Sequence, residues 1–308
     1  MHVSGLEIRI RGRFLRVAGL AADTYEFLDD PESVIRIVQG SPSERVDLFT
    51  FMQRLPETSP KYSYPLEWDN LAVLSVSTFD NWWTKQVNDK TRNMARRAGK
   101  KGVEIREVQF DDRYIEGVWA IYNECEIRQG KRFPHYGKDL STVGKMMATF
   151  LDRSVFMGAY LNNQMIGFAR LHCDETRTQA GLSSILSLAQ HRDKAPTNAL
   201  VAEAVRYCAS HNIPYLVYSR YSDGNKERDS LMDFKDHNGF QKVNLPRYYV
   251  PLTRLGKVTL ALKLHKGLMS HVPDPVLAKL RAIRRVWYSM RERRRSPEAF
   301  TRVEGREA

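Results

Sequence analysis

The residues best equipped for chemistry in this chain are basic. Arg92, Arg96 and Arg97 recur at helical spacing, with Lys100 and Lys101 just beyond, so one helical segment presents a cluster of cations. Guanidinium groups grip phosphate with paired N–H donors, which suits a nucleotide-linked or tRNA-like ligand. A solvated helix face is the competing reading. Arg192 and Lys194 form a second basic group in the turn Gln190 to Ala195, placed to hold phosphate or simply to face water. Other chemistries find little support. His135, His172 and His237 lie far apart with no HExxH spacing, the acids form no DxD cluster, and no catalytic metal is expected. Cys125, Cys173 and Cys208 include no CxxC pair, so neither a disulfide framework nor a zinc site is indicated. No G-K-[ST] loop and no GxGxxG follows a strand, which disfavours nucleotide hydrolysis and dinucleotide redox chemistry.

Hydrophobic periodicity gives the elements that must position these groups. Residues 3–20 alternate as a strand pair around Gly12, and VDLFTF (46–51) and LAVLSVS (71–77) read as two more strands separated by a long polar loop. Thr78 and Asp80 are good N-caps for a single helix running to Gly99 or Gly102. VEIREVQF (103–110) alternates as a strand, and 113–129 returns to helical spacing. SVFMGAYL and MIGFARLHC form a hairpin about Asn162 and Asn163. A buried strand over 180–189 then leads to a helix over 197–212, opened by Pro196, with Leu200, Val201, Ala204, Val205 and Cys208 on one stripe. IPYLVYSRY (213–221), a helical turn SLMDFKDHN and the strand QKVNLPRYYVPLT complete a mixed α/β sheet.

The 308 residues carry 48 Lys and Arg against 36 Asp and Glu, a net charge of +12, which attracts nucleotides, nucleic acid or anionic lipid without choosing among them. With 42% hydrophobic and 27% charged residues, the composition is that of an ordinary globular chain. No run reaches the roughly 18 apolar residues of a membrane span, and no apolar signal core follows the first Met, so the expected address is the cytosol. From Pro275, VLAKLRAIRRVWYSMRERRR reads as an amphipathic helix with eight Lys or Arg opposed by Glu292 alone. Its apolar stripe could dock on the body of the protein, or residues 276–295 could lie on the inner face of an anionic membrane, with RNA contact as a third alternative.

The order strand, helix, hairpin, strand, helix, strand, helix, strand over 103–250 resembles the GNAT superfamily of N-acyltransferases. TRNMARRAGKKGVEIREV (91–108), APTNALVAEAVRYCASHN (195–212) and SLMDFKDHNGFQKVNLPRYYVPLT (230–253) are similar to the Fem-like branch, whose members add amino acids to peptidoglycan precursors. The resemblance implies an α/β (α+β) fold in which helices flank a GNAT-like mixed central sheet, over 91–255. Residues 1–90 then form a β-rich lobe, readable as a degenerate second half, and 256–308 a basic helical extension.

The same resemblance implies sites. A GNAT strand splays from its neighbour to receive the pantetheine arm of CoA, here Ser184 to Ala189, including Ser187 and Leu188, and the pyrophosphate lies at the next helix N-terminus, here Gln190, Arg192, Lys194, Ala195 and Asn198. The family's Q/R-x-x-G-x-G/A loop reads Gln190-His191-Arg192-Asp193-Lys194-Ala195, with Asp193 where the first glycine stands, a departure that opposes phosphate. Fem-type proteins lack a strict glycine loop and take their acyl group from aminoacyl-tRNA. Lys235 in Phe234-Lys235 matches the Fem-like Phe-Lys pair, where the lysine lies near the active site. Glu203, Tyr218 and Tyr221 are the acid and base candidates, because acyl transfer to an amine needs proton transfer and no covalent nucleophile. For each there is a plainer reading: a packed tyrosine, or for Lys235 an exposed lysine favouring the helix end before Gly239.

The expected function is therefore transfer of an acyl or aminoacyl group from acyl-CoA or aminoacyl-tRNA to an amine acceptor, a small molecule or a lipid-linked glycan, in polysaccharide or envelope assembly. A non-catalytic GNAT-like scaffold contacting membrane or RNA is the alternative.

Overall fold

The computed structural model describes residues 1–266 apart from 4, 24, 42–43, 129 and 223–227. The amphipathic helix expected over 276–295 lies outside the described residues.

The chain opens with β1 (His2–Val3), β2 (Leu6–Arg11) and β3 (Val17–Leu20), and the expected hairpin forms between β2 and β3 with Ile8 opposite Leu20. Next comes a helix that periodicity had not suggested, α1 (Pro31–Gly40), whose N-cap Asp30 accepts from Ser33 N at 3.1 Å and whose Val34, Ile35 and Val38 are buried. β4 (Leu48–Met52) and β5 (Leu66–Ser75) follow, β5 starting five residues before the expected strand.

The single helix expected after Thr78 is broken in two. A short α2 (Phe79–Asn81) runs into a π turn over Trp82–Gln86, the chain leaves the helix at Val87, and α3 (Asp89–Lys100) restarts where Asn88 accepts from Lys90 N and Thr91 N. The cause is tertiary. Trp82 and Val87 are both buried five residues apart, Val87 N reaches back to Trp82 O at 3.0 Å, and Trp82 Nε1 donates to Asn238 O at 2.8 Å, so a wide turn puts both side chains inward.

β6 (Glu104–Val108) leads to α4 (Asp112–Asn123), which ends at Asn123 rather than running to 129, because a small ribbon of β7 (Ile127–Arg128) and β8 (Lys131–Arg132) takes over. A second unanticipated helix, α5 (Leu140–Met147), is capped by Asp139. β9 (Ser154–Leu161) and β10 (Gln164–Cys173) form the expected hairpin, Asn162 and Asn163 both adopting positive φ as a two-residue turn requires. Then come β11 (Gln179–Ser187), α6 (Pro196–Ser210), β12 (Tyr215–Arg220), α7 (Ser230–His237), β13 (Gln241–Pro251) and α8 (Arg254–Ala261).

The strands build one eleven-stranded mixed sheet in the order β1-β2-β3-β4-β13-β5-β12-β11-β10-β9-β6. The N-terminal strands are continuous with the rest because β13 is hydrogen-bonded antiparallel to β4 on one side and β5 on the other. On α6 the whole predicted stripe of Leu200, Val201, Ala204, Val205 and Cys208 is buried, fastening the helix to β9, β10 and β11. A second cluster joins α1 to Ile8, Phe49, Phe51 and Tyr248.

α7 closes on a Schellman-type turn: Gly239, at φ +86°, donates to Asp236 O at 2.9 Å, and Phe240 donates to Lys235 O at 3.0 Å while its ring enters the core. A Cβ on Gly239 would also stand 3.1 Å from Gln86 O. Gly239→Ala is therefore expected to cost about 1–3 kcal/mol in urea unfolding, with the slope unchanged; a cost near zero would show that this turn does not fix the end of α7.

Candidate functional site

The site is built around a place where the sheet comes apart. β11 and β12 run parallel and pair only over Gln179–Gly181 with Tyr215–Val217. Each strand then carries a bulge. Against β10, Arg170 faces Ser184 and Leu171 faces Leu182, leaving Ser183 over; against β5, the register jumps between Val217 and Arg220, with Ser219 at φ +53°. Bulges bend a strand and raise its twist, so the two strands diverge, and β11 becomes half-exposed from Ser183 to Leu186. A ligand can reach backbone here.

Tyr218 and Lys235 meet beside this gap. Lys235 is only 3% exposed, so it is no surface lysine at a helix end. Its Nζ donates to Arg220 O and stands 5.1 Å from the centre of the Tyr218 ring, while the neighbouring Phe234 meets the same ring edge-on. Burial pushes the Tyr218 phenol up to about 12, with the Tyr25 phenol adding to it, so Tyr218 is a neutral hydroxyl able to give a proton. Tyr221 stands apart: its hydroxyl donates to Asp236 Oδ1, a bond that raises its pKa, and Arg228 holds the other oxygen of Asp236 at 2.6 Å. Glu203 is on the outward side of α6, paired with Arg206 at 3.3 Å, and Arg206 in turn caps the Phe79 ring at 3.9 Å. The structure thus joins Lys235 and Tyr218, while Glu203 is paired with Arg206.

The turn after β11 is already satisfied by the chain itself. Glu124, at the end of α4, accepts from Ala189 N at 2.7 Å and Gln190 N at 3.2 Å, and pairs with the buried Arg128 at 2.8 Å. Arg128 also donates to Ser187 O at 3.0 Å. Leu188 N is spent on Ile166 O, and Ser187 Oγ on Thr197 Oγ1. Asp193 is held by Lys101 at 2.8 Å and Lys194 at 3.3 Å, contacts that bring its pKa down to about 2, Lys101 contributing most. Arg192 is exposed, and Asn198 half-buried in the first turn of α6, whose cap residue Ala195 is left-handed and makes no side-chain cap. Sequence reasoning missed Glu124 and Arg128, although their i,i+4 spacing was visible.

The basic face is likewise partly committed: Arg92 pairs with Asp89 and Arg96 stacks 5.4 Å over Trp83, while Arg97 and Lys100 are exposed. Among the described residues no group of three or more His, Cys, Asp or Glu side chains is arranged to hold a metal ion, and no helix is long and apolar enough to cross a membrane.

No family model and no curated protein matches the sequence. Solved structures do match. FemX superposes with a TM-score of 0.58 at 9% identity, covering 78% of this chain and 83% of FemX. The C-terminal DUF2156 domain of a protein assigned as a lysylphosphatidylglycerol synthetase from Agrobacterium fabrum gives 0.56 at 15% identity, covering 84% and 83%. L-PGS from Bacillus licheniformis gives 0.54 at 12%, covering 84% of each chain. The likeness shows the fold, a Fem-like one shared with these structures.

On the face of the sheet opposite α6, His172 is 1% exposed, with Nδ1 3.1 Å from Ser154 Oγ and its ring against Phe150 and Tyr25. Burial first, then Arg170 and Arg153, bring its pKa down from 6.5 to about 4, against a small opposing pull from Asp152. The folded protein keeps this imidazole neutral where the unfolded chain takes up a proton. Stability should therefore fall as pH drops from 6.5 towards 4, by up to about 1.4 kcal/mol per pH unit. His172→Gln should flatten the acid limb of urea midpoints across that window; an unchanged limb would assign the acid sensitivity to other groups.

Proposed function

We propose that this chain, with its GNAT- and Fem-like fold, is an N-acyltransferase that moves an aminoacyl group from aminoacyl-tRNA to an amine acceptor in polysaccharide or cell-envelope assembly. The observation that carries the choice of donor is Glu124: its carboxylate occupies the Ala189 and Gln190 N–H groups beside an otherwise open gap. A second negative charge, Asp193, lies in the same turn. With those N–H groups filled and Lys101 and Lys194 tied to Asp193, the turn has little left to hold the pyrophosphate of CoA, whereas the ester of an aminoacyl-tRNA needs no pyrophosphate site.

In the reaction the amine nitrogen forms a bond to the ester carbonyl carbon, the bond from that carbon to the ribose oxygen breaks, the nitrogen loses a proton and the ribose oxygen gains one. Tyr218 supplies a neutral hydroxyl to pass a proton to the leaving oxygen. Lys235 supplies positive charge to the developing oxyanion, in a buried setting where such charge acts strongly. The exposed Arg97, Lys100 and Arg192 offer phosphate contacts outside the gap. The same filled turn also suits a non-catalytic binder, and the experiment separates the two.

Filter binding of charged tRNA should show retention that weakens steeply with salt, while acetyl-CoA and free CoA should leave the melting temperature unchanged. A CoA-induced shift that Lys194→Ala abolishes would make acyl-CoA the donor. Lys235→Met should keep the fold and slow release of the amino acid from charged tRNA by about 100-fold or more; tRNA binding with no release by the native chain would leave the non-catalytic reading standing.

A further inference from the structure

Four arginines lie deep in the described structure, and three of them have an acid. Arg128 pairs with Glu124, Arg153 with Glu26, and Arg247 with Asp23 and Asp69. The fourth, Arg170 on β10, is 8% exposed and pairs with no carboxylate among the described residues. Its Nε donates to Ser183 Oγ at 2.9 Å, and its Nη1 is shared among Met146 O, Met147 O and Thr149 Oγ1 at 3.2, 3.0 and 3.1 Å. Among the described residues nothing accepts from Nη2. The groups whose fields reach the guanidinium are the phenols of Tyr114, Tyr122 and Tyr25, which are neutral at ordinary pH. A buried guanidinium with no counter-charge is costly.

Its surroundings are also short of partners. Tyr114 Oη and His172 Nε2 are buried without a hydrogen-bond partner among the described residues, and both groups lie close enough to Arg170 to interact with its charge. Orphaned polar atoms gathered about an uncompensated cation indicate a place that something else completes.

The position says what that is. Ser183, which Arg170 holds, is the bulged residue at which β11 leaves β12. Arg170 approaches the gap from the face away from α6: a Cβ on Gly167 would touch Leu200 of α6 at 3.4 Å, whereas Phe168 packs on Tyr114 and Tyr122 of α4 and Arg170 bonds to the end of α5. The Tyr25 ring covers Gly181 on that same face, 5.3 Å from His172. The turn at 189–195 precedes α6, so a donor delivered there and an acceptor on the Arg170 face would meet through the gap.

We infer that Arg170 binds a carboxylate of the amine acceptor, making the acceptor an amino-acid- or peptide-like amine that carries its own acid group. The Nη2 protons can donate to one anionic oxygen or two, and a carboxylate that reaches them supplies the missing counter-charge in a charge-assisted bond. The inference rests on the acyltransferase reading for the word acceptor, but not for the binding, which needs no donor.

The test uses the full chain without donor, following melting temperature and calorimetric titration against glycine, glycinamide, acetate, inorganic phosphate and chloride at matched ionic strength. Glycine and acetate are expected to stabilise, and glycinamide and chloride are not. Phosphate outperforming both carboxylates would overturn the carboxylate assignment in favour of a phosphate, and no anion exceeding chloride would overturn the site altogether. Arg170→Gln should weaken glycine binding about ten- to a hundredfold, and Arg170→Lys, which keeps the charge, should lose less. Undiminished glycine binding in a folded Arg170→Gln chain would make Arg170 a structural tie between α5 and β11. Where that variant does not fold, the native ligand series decides alone.

Discussion

The organisation of the molecule depends on a broken backbone ladder. In a parallel pair each strand satisfies the other's N–H and C=O groups, and stopping the β11/β12 pairing after three residues leaves backbone that must find other partners or stay open. The bulges at Ser183 and at Tyr218–Ser219 make the parting possible, since each inserts an unpaired residue that turns its strand. The neighbouring elements then share out what is exposed: Arg128 takes Ser187 O, Ile166 takes Leu188 N, and Lys235 takes Arg220 O on the far side. What remains is a slot in the hydrogen-bond ladder beside Tyr218 and Lys235.

Electrostatically the slot is less simple than a net charge of +12 implies. Lys101 and Lys194 are spent on Asp193, Arg92 on Asp89, and Arg128 on Glu124, so much of the local positive charge is neutralised within the protein. Fixed acids near a helix N-terminus use up the dipole that would attract a phosphate. The two sides of the sheet differ in this respect: the cations by the turn are paired with acids, whereas Arg170 on the other face has no carboxylate among the described residues.

How much of this the sequence disclosed follows from where each feature gets its stability. The β9–β10 hairpin and the α6 stripe were legible because local pattern and tertiary burial agree: two asparagines where positive φ is needed, and five apolar residues on one helical face. α1 carries readable signals, Asp30 before Pro31 and apolar residues at 34, 35 and 38, but lies in a region dominated by strands. The break at Val87 was not legible, because it arises from burying Trp82 against Asn238 across 156 residues of chain. Lys235 was found through its Phe-Lys context, yet its burial contradicts the surface reading that a helix-end lysine invites. Arg170 gave no signal at all, since an arginine in a strand looks like any solvated residue until its burial without a carboxylate partner among the described residues is seen in three dimensions.

The position of β13 has a consequence for how the protein is made. It fills the space between β4 and β5, pairing with Leu48–Met52 on one edge and Leu66–Ser75 on the other, although it is the last strand of the sheet to be synthesised. At usual translation speeds the facing edges of β4 and β5 leave the ribosome roughly 10–40 s before β13 exists. Through that interval the nascent chain exposes two unsatisfied strand edges bearing Phe49, Phe51 and Val73, the kind of surface that recruits a foreign strand. The N-terminal segment cannot mature on its own schedule, and a nascent chain that stalls before residue 241 would be a substrate for chaperones rather than a smaller working protein.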